Sequence, residues 1–92
     1  AMAEVWHLPI AFHDCTGPIT LTASTHLALA NTNCYIQEMV RAFYYGWYAD
    51  LVTSLPPVEN GFITVPQGNG LGLSLNKDIY KRKDTHIKTS KN

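Results

Sequence analysis

Ninety-two residues, 46% of them hydrophobic and 15% charged, allow one small domain at most and are too apolar for a disordered tail. The formal net charge is zero, which argues against a general nucleic-acid or membrane-surface binder. No uninterrupted apolar run approaches the ~18 residues needed to cross a bilayer.

Residues 1–6 open with good helix formers, Ala1, Met2, Ala3 and Glu4, and no start signal precedes them, so they read as the end of a helix. Residues 7–12 are short and apolar and read as a buried strand, with Pro9 removing one ladder donor. The run stops at His13-Asp14-Cys15-Thr16-Gly17-Pro18. Pro18 suits a first helical turn, and Thr16 is the natural capping oxygen ahead of it. Over residues 19–30, Ile19, Ala23, Leu27 and Ala30 fall along one helical face, with Leu21, Ala28 and Leu29 widening it. The many Thr and Ser residues lower helix propensity, so tertiary burial must hold this helix.

Residues 33–38 form the next strand and end in a lone carboxylate, Glu38. Strand, polar tip, helix, strand, polar tip is the rhythm of a parallel α/β sheet, whose chemistry sits at the carboxyl ends of the strands. His13 and Glu38 are therefore expected at neighbouring strand ends. Residues 39–48 hold five aromatics (Phe43, Tyr44, Tyr45, Trp47 and Tyr48), a patch that predicts an interface with more protein or, alternatively, an aromatic ligand cage. Asn60-Gly61 signals a tight hairpin between Val58 and residues 62–65. Residues 66–72 are a glycine-rich loop, and 73–83 read as a short terminal helix with Asn76 as cap. Beyond Asp84 a frayed basic tail is expected, since residues 77–91 carry six of the seven Lys and Arg residues.

Several constellations invite sharper readings. An imidazole titrates near neutrality, so His13 can move a proton to or from a reacting carbon or hydroxyl; the plainer alternative is a histidine that caps a strand. Glu38 is either a substrate-facing carboxyl group or the partner of Arg41 in an ordinary surface ion pair. Asp14 should face away from His13 if the segment stays extended. Cys15 and Cys34 are the only cysteines and lack C-x-x-C spacing, so two free thiols in a cytoplasmic protein are expected, with Cys15 buried and structural rather than nucleophilic. His7, His13 and His26 fit no metal-ligand spacing. Gly68-Asn69-Gly70-Leu71-Gly72 lacks the lysine and the βαβ context of a phosphate loop. Two parallel strands with bare edges do not make a stable sheet, so the chain reads as an excerpt of something larger.

At these residues the chain also resembles a known family. Ile10-Ala11-Phe12-His13-Asp14-Cys15-Thr16-Gly17-Pro18 is similar to the seventh-strand segment of the enolase superfamily, in its mandelate-racemase-like branch of acid-sugar dehydratases. Tyr35-Ile36-Gln37-Glu38 resembles the eighth-strand segment, and Pro56-Pro57-Val58, Gly61-Phe62-Ile63-Thr64-Val65-Pro66 and Gly70-Leu71-Gly72 resemble the closing segment. Phe12 stands where a proline is usual, as do Gln67 and Asn69 in the closing loop.

The resemblance implies an α/β fold: a C-terminal fragment of a (β/α)₈ barrel, about a quarter of the ~250 residues a whole one needs. Residues 1–55 would be the final βαβ portion and 56–92 the closing segment. It implies a sugar-acid dehydratase in which a base removes the proton next to the carboxylate and His13 protonates the leaving 3-hydroxyl. It sets Glu38 beside the substrate carboxylate, and assigns the aspartate that orients His13 and the three carboxylates that bind Mg²⁺ to earlier strands. The remaining barrel and a capping domain would be partners, with a homo-oligomer left open. A racemase or epimerase of the same superfamily, or a non-catalytic remnant, are the alternatives.

Overall fold

The structure, a computed structural model, describes residues 1–90. Helix α1 (Met2–Val5) ends in a Schellman turn: the His7 N–H reaches the Glu4 carbonyl at 3.0 Å and the Leu8 N–H the Ala3 carbonyl at 2.9 Å. His7 takes the left-handed conformation at the turn (φ 56). This spends residues 7–9 on reversing the chain, so strand β1 is Ile10–Phe12 rather than the whole of 7–12.

Helix α2 (Pro18–Ala30) connects β1 to β2 (Cys34–Gln37), and the two strands pair in parallel. The Ile10 N–H donates to the Asn33 carbonyl at 2.8 Å to start the ladder, and the Glu38 N–H donates to the Phe12 carbonyl at 3.0 Å to end it. Ile10 pairs with Cys34 and Ala11 with Ile36, so Tyr35 is an extra residue on β2.

The N-terminus of α2 departs from expectation. Gly17, extended, occupies the cap position, and no side chain caps the helix, Thr16 included. The buried face also differs. Pro18, Leu21, Thr22 and Thr25 are buried, while Ile19, Leu27 and Leu29 are exposed. Thr22 and Thr25 tolerate burial because their hydroxyls donate to the carbonyls one turn back, of Pro18 and Leu21, each at 2.8 Å. A buried hydroxyl with a partner costs little, and the positions 18, 21, 22 and 25 make one stripe.

Two single-turn helices follow, α3 (Arg41–Tyr44) and α4 (Tyr48–Leu51). Tyr48 and Val52 join Leu21 as the buried hydrophobic residues of the core. Tyr48 meets Trp47 edge to face (centroids 4.6 Å) and Phe43 at 5.8 Å. Residues 39–48 are thus not a wholly exposed patch: Tyr45 faces solvent, but Tyr48 is central.

The chain then runs antiparallel to its own end, with Val52 bridged to Leu75 and the Asn76 N–H on the Leu51 carbonyl at 2.9 Å. Strands β3 (Val58–Glu59) and β4 (Phe62–Ile63) form the expected hairpin, with Asn60 (φ 52) and Gly61 (φ 81) both left-handed as a tight primed turn requires. The terminal helix is a 3₁₀ turn, Lys77–Lys81. Asn76 does not cap it; its amide donates to the Asp50 carbonyl at 3.0 Å. Residues 82–90 lack regular structure apart from a turn; Arg82 forks onto Asp84, and the expected tail extends into residues 91–92, outside the described ones.

The chain exposes 7257 Å², about a third more than the ~5,400 Å² of a compact monomer of its size, and its radius of gyration is 15.1 Å against ~12 Å. Tyr35 is 82% exposed and Ile36, next to it on β2, 56%. The isolated 92-residue chain is therefore expected to bind an apolar-surface dye and to melt without a sharp transition. Dye fluorescence with calorimetry checks this, and a cooperative two-state melt of the monomer would refute it.

Candidate functional site

The parallel ladder delivers His13 and Glu38 side by side as the strands end. His13 Nε2 lies 3.9 Å from Glu38 Oε2, with the two side chains 71% and 53% exposed. The same Glu38 oxygen accepts the Asp14 backbone N–H at 3.2 Å. Glu38 therefore faces the His13 segment, and among the described residues it makes no ion pair with Arg41. The Arg41 guanidinium instead lies over the Tyr45 ring, 5.6 Å from its centroid.

Alternation along an extended segment sends the next side chain inward. Asp14 is fully buried, and the Tyr48 hydroxyl donates to its Oδ2 at 3.4 Å. Oδ1 is buried with no hydrogen-bond partner among the described residues. Asp14 is thus not the partner of the His13 ring. Burial pushes the Tyr48 phenol up from its ordinary value, and the Asp14 carboxylate beside it adds to the rise, so Tyr48 remains a donor at neutral pH.

Cys15 returns to the His13 side. Its Sγ is 3.3 Å from His13 Nε2, and the residue is exposed, which overturns the expectation of a buried structural thiol. Residues two apart on an extended segment share a face, and that spacing was the available signal. Cys34 is also a free thiol, half-buried. Sequence reasoning missed Tyr48 as a neighbour of this site; only its position in the aromatic run marked it out.

The implied magnesium finds no seat among the described residues. No group of three His, Cys, Asp or Glu side chains converges there, Glu38 offers one carboxylate with an oxygen already bonded to the Asp14 N–H, and Asp14 points inward. A hard cation needs a cluster of oxygens. His7 and His26 lie elsewhere, His26 with its ring nitrogen 2.8 Å from the Leu71 carbonyl oxygen. No helix among the described residues is long and apolar enough to cross a membrane.

Residues 1–79 match the family model of the enolase C-terminal domain-like proteins. Among curated proteins, a D-xylonate dehydratase of Haloferax volcanii is 34% identical over 80 residues, covering 87% of this chain and 19% of that protein. A D-galactonate dehydratase of Xanthomonas campestris pv. campestris is 33% identical over 87 residues, covering 89% and 23%. Among solved structures, an enolase of the mandelate racemase subgroup from Agrobacterium tumefaciens superposes with a TM-score of 0.79 at 62% identity, over 87% of this chain and 22% of that one. An enolase protein from Sargasso Sea shotgun sequencing gives 0.80 at 41% identity, over 90% and 22%. The chain spans about a fifth of the length of the curated relatives it matches.

Two outcomes are expected. Calorimetry of the 92-residue chain with magnesium should show no stoichiometric micromolar site. In the folded full-length parent, tyrosinate at Tyr44 and Tyr48 should appear later than the ordinary 10.0, both raised chiefly by burial, and an ultraviolet difference titration against Tyr48→Phe should show one late component lost. The sign follows from linkage: a phenol whose folded value is raised contributes stability that is whole below about pH 10 and is lost as pH climbs through the folded value.

Proposed function

Because this chain belongs to the enolase C-terminal domain-like family, we propose that it is the C-terminal portion of a sugar-acid dehydratase, with His13 and Glu38 as its catalytic residues. The observation that carries the reading is the 3.9 Å approach of His13 Nε2 to Glu38 Oε2 at two adjacent parallel strand ends. The dehydratase names of the curated relatives support the substrate class. In this reading β1 and β2 are the last two strands of a (β/α)₈ barrel, residues 1–55 its final βαβ portion and 56–92 its closing segment. The bare strand edges and the excess exposed surface fit that arrangement. The rest of the barrel and its capping domain supply what this chain lacks, including the carboxylates that hold magnesium.

The reaction converts a 2,3-dihydroxy acid into a 2-keto-3-deoxy acid and water. A base takes the α-proton, the electron pair forms the C2–C3 double bond, and hydroxide leaves C3. His13, as imidazolium, gives its proton to that hydroxide, and the resulting enol tautomerises to the ketone. Glu38 stands beside the substrate carboxylate, where charge builds as the α-proton departs. The mandelate racemase subgroup of the Agrobacterium relative favours one second reading, in which the same histidine acts as the α-base of a racemase or epimerase.

In the full-length parent, His13→Asn should cost dehydration ~10²–10⁴-fold while leaving the fold intact. Glu38→Gln should lower turnover more than substrate affinity. Exchange of the α-proton with solvent deuterium separates the two readings. Exchange that survives in His13→Asn makes His13 the acid that expels the hydroxyl, and exchange that stops makes it the base. Near-normal turnover of His13→Asn would return it to a strand-capping histidine.

A further inference from the structure

The site contains a buried carboxyl group that the proposed chemistry does not use. Asp14 touches both Glu38 and Tyr48: its backbone N–H is on Glu38 Oε2 at 3.2 Å, while its side chain is wholly buried under the Tyr48 hydroxyl. Tyr48 is itself fully buried and fixed by Phe43 and Trp47. Among the described residues the Tyr48 hydroxyl is the sole hydrogen-bond partner of the Asp14 side chain, since Oδ1 has none. A buried carboxyl group with a single partner is costly to leave with none, so loss of that partner drives the side chain out towards water. Turning Asp14 out rotates its backbone N–H off Glu38 and moves the flanking His13 and Cys15.

We propose that Asp14 is a positioning residue: its side chain, anchored by Tyr48, aims its own N–H at Glu38 and so holds the Glu38 carboxylate beside His13. This rests on the reading of His13 and Glu38 as the catalytic pair. The anchor reaches the site from the core, through a residue 34 positions along the chain. It couples the packing of α4 to the aim of a carboxylate at the end of β2. Tyr48, raised above its ordinary value by burial and by Asp14, keeps its proton and hence its donor role throughout the neutral range.

The test uses the full-length parent, with Asp-selective ¹⁵N labelling and dehydration kinetics on Tyr48→Phe, Asp14→Asn and Asp14→Ala. Phe keeps the ring packing and removes only the hydroxyl; Asn keeps an acceptor for that hydroxyl; Ala removes it. The Tyr48 contact at 3.4 Å is long for an O–H···O bond, so a modest effect is expected: kcat lower by about three- to tenfold in Tyr48→Phe and Asp14→Ala, KM within about twofold, and Asp14→Asn near wild type. The Asp14 amide proton, downfield on a carboxylate in the parent, should move upfield in Tyr48→Phe and likewise in Glu38→Ala. That signal needs no substrate. An amide that moves in Tyr48→Phe in a parent that dehydrates no sugar acid upholds the anchor and fails the reaction reading. An amide that stays put in Tyr48→Phe overturns the anchor even in an active enzyme, as does an Asp14→Asn variant as impaired as Asp14→Ala.

Discussion

The hydrogen bond from the Glu38 N–H to the Phe12 carbonyl, 3.0 Å long, closes the parallel ladder and sets the level at which both strands stop. The candidate site depends on that shared level. With it in place, His13 and Glu38 leave their strands together and can meet, although 24 residues separate them. A crossover connection is what makes such a meeting possible, because parallel strands need a long return, usually a helix, before the second can run to the same end of the sheet. Helix α2 provides it, and the core it packs on is small: Leu21 from the helix, Tyr48 and Val52 from beyond the second strand. The site and the core therefore share one support, and Tyr48 belongs to both.

This economy explains why so much apolar surface is left over. A helix that buries four residues of thirteen leaves most of its surface uncovered by the described residues. The exposed Ile19, Leu27 and Leu29 on α2 and Tyr35 and Ile36 on β2 are unsatisfied by anything among the described residues. Their number fits a chain that spans about a fifth of its relatives' length.

The parts of the fold legible in the sequence were those fixed by local stereochemistry. Asn60-Gly61 specified a primed turn because both positions need positive φ. Pro18 marked the first turn of a helix, and polar tips marked where two apolar runs stop. The parts that were not legible depend on contacts that sequence spacing hides. Thr22 and Thr25 counted as polar, yet their hydroxyls are satisfied within the helix, so the buried stripe runs through them. His7 carries only a weak residue-type signal for the left-handed turn that shortens β1. Asn76 looked like a cap and instead ties α4 to the chain end. At the candidate site, His13 and Glu38 stood out as residue types at strand ends. The inward role of Asp14 followed from alternation, but its partner Tyr48 could not, since nothing local connects positions 34 apart.

Tyr35 stands on β2 without an opposite number on β1, and the sheet is out of step by that one residue. Paired residue for residue from Ile10 and Cys34, with Tyr35 in step, the strands would set Phe12 against Ile36 and bring His13 level with Gln37. With it, Phe12 meets Gln37, and the next step puts His13 level with Glu38. The identity of the group facing the histidine is thus decided by a count rather than by a choice of amino acid. An amide and a carboxylate stand next to each other in the sequence, and pairing Tyr35 in step with its neighbours would exchange one for the other while altering neither. Removing Tyr35 would take out the irregularity and leave His13 level with Glu38, whereas one residue inserted after it would bring Gln37 level instead.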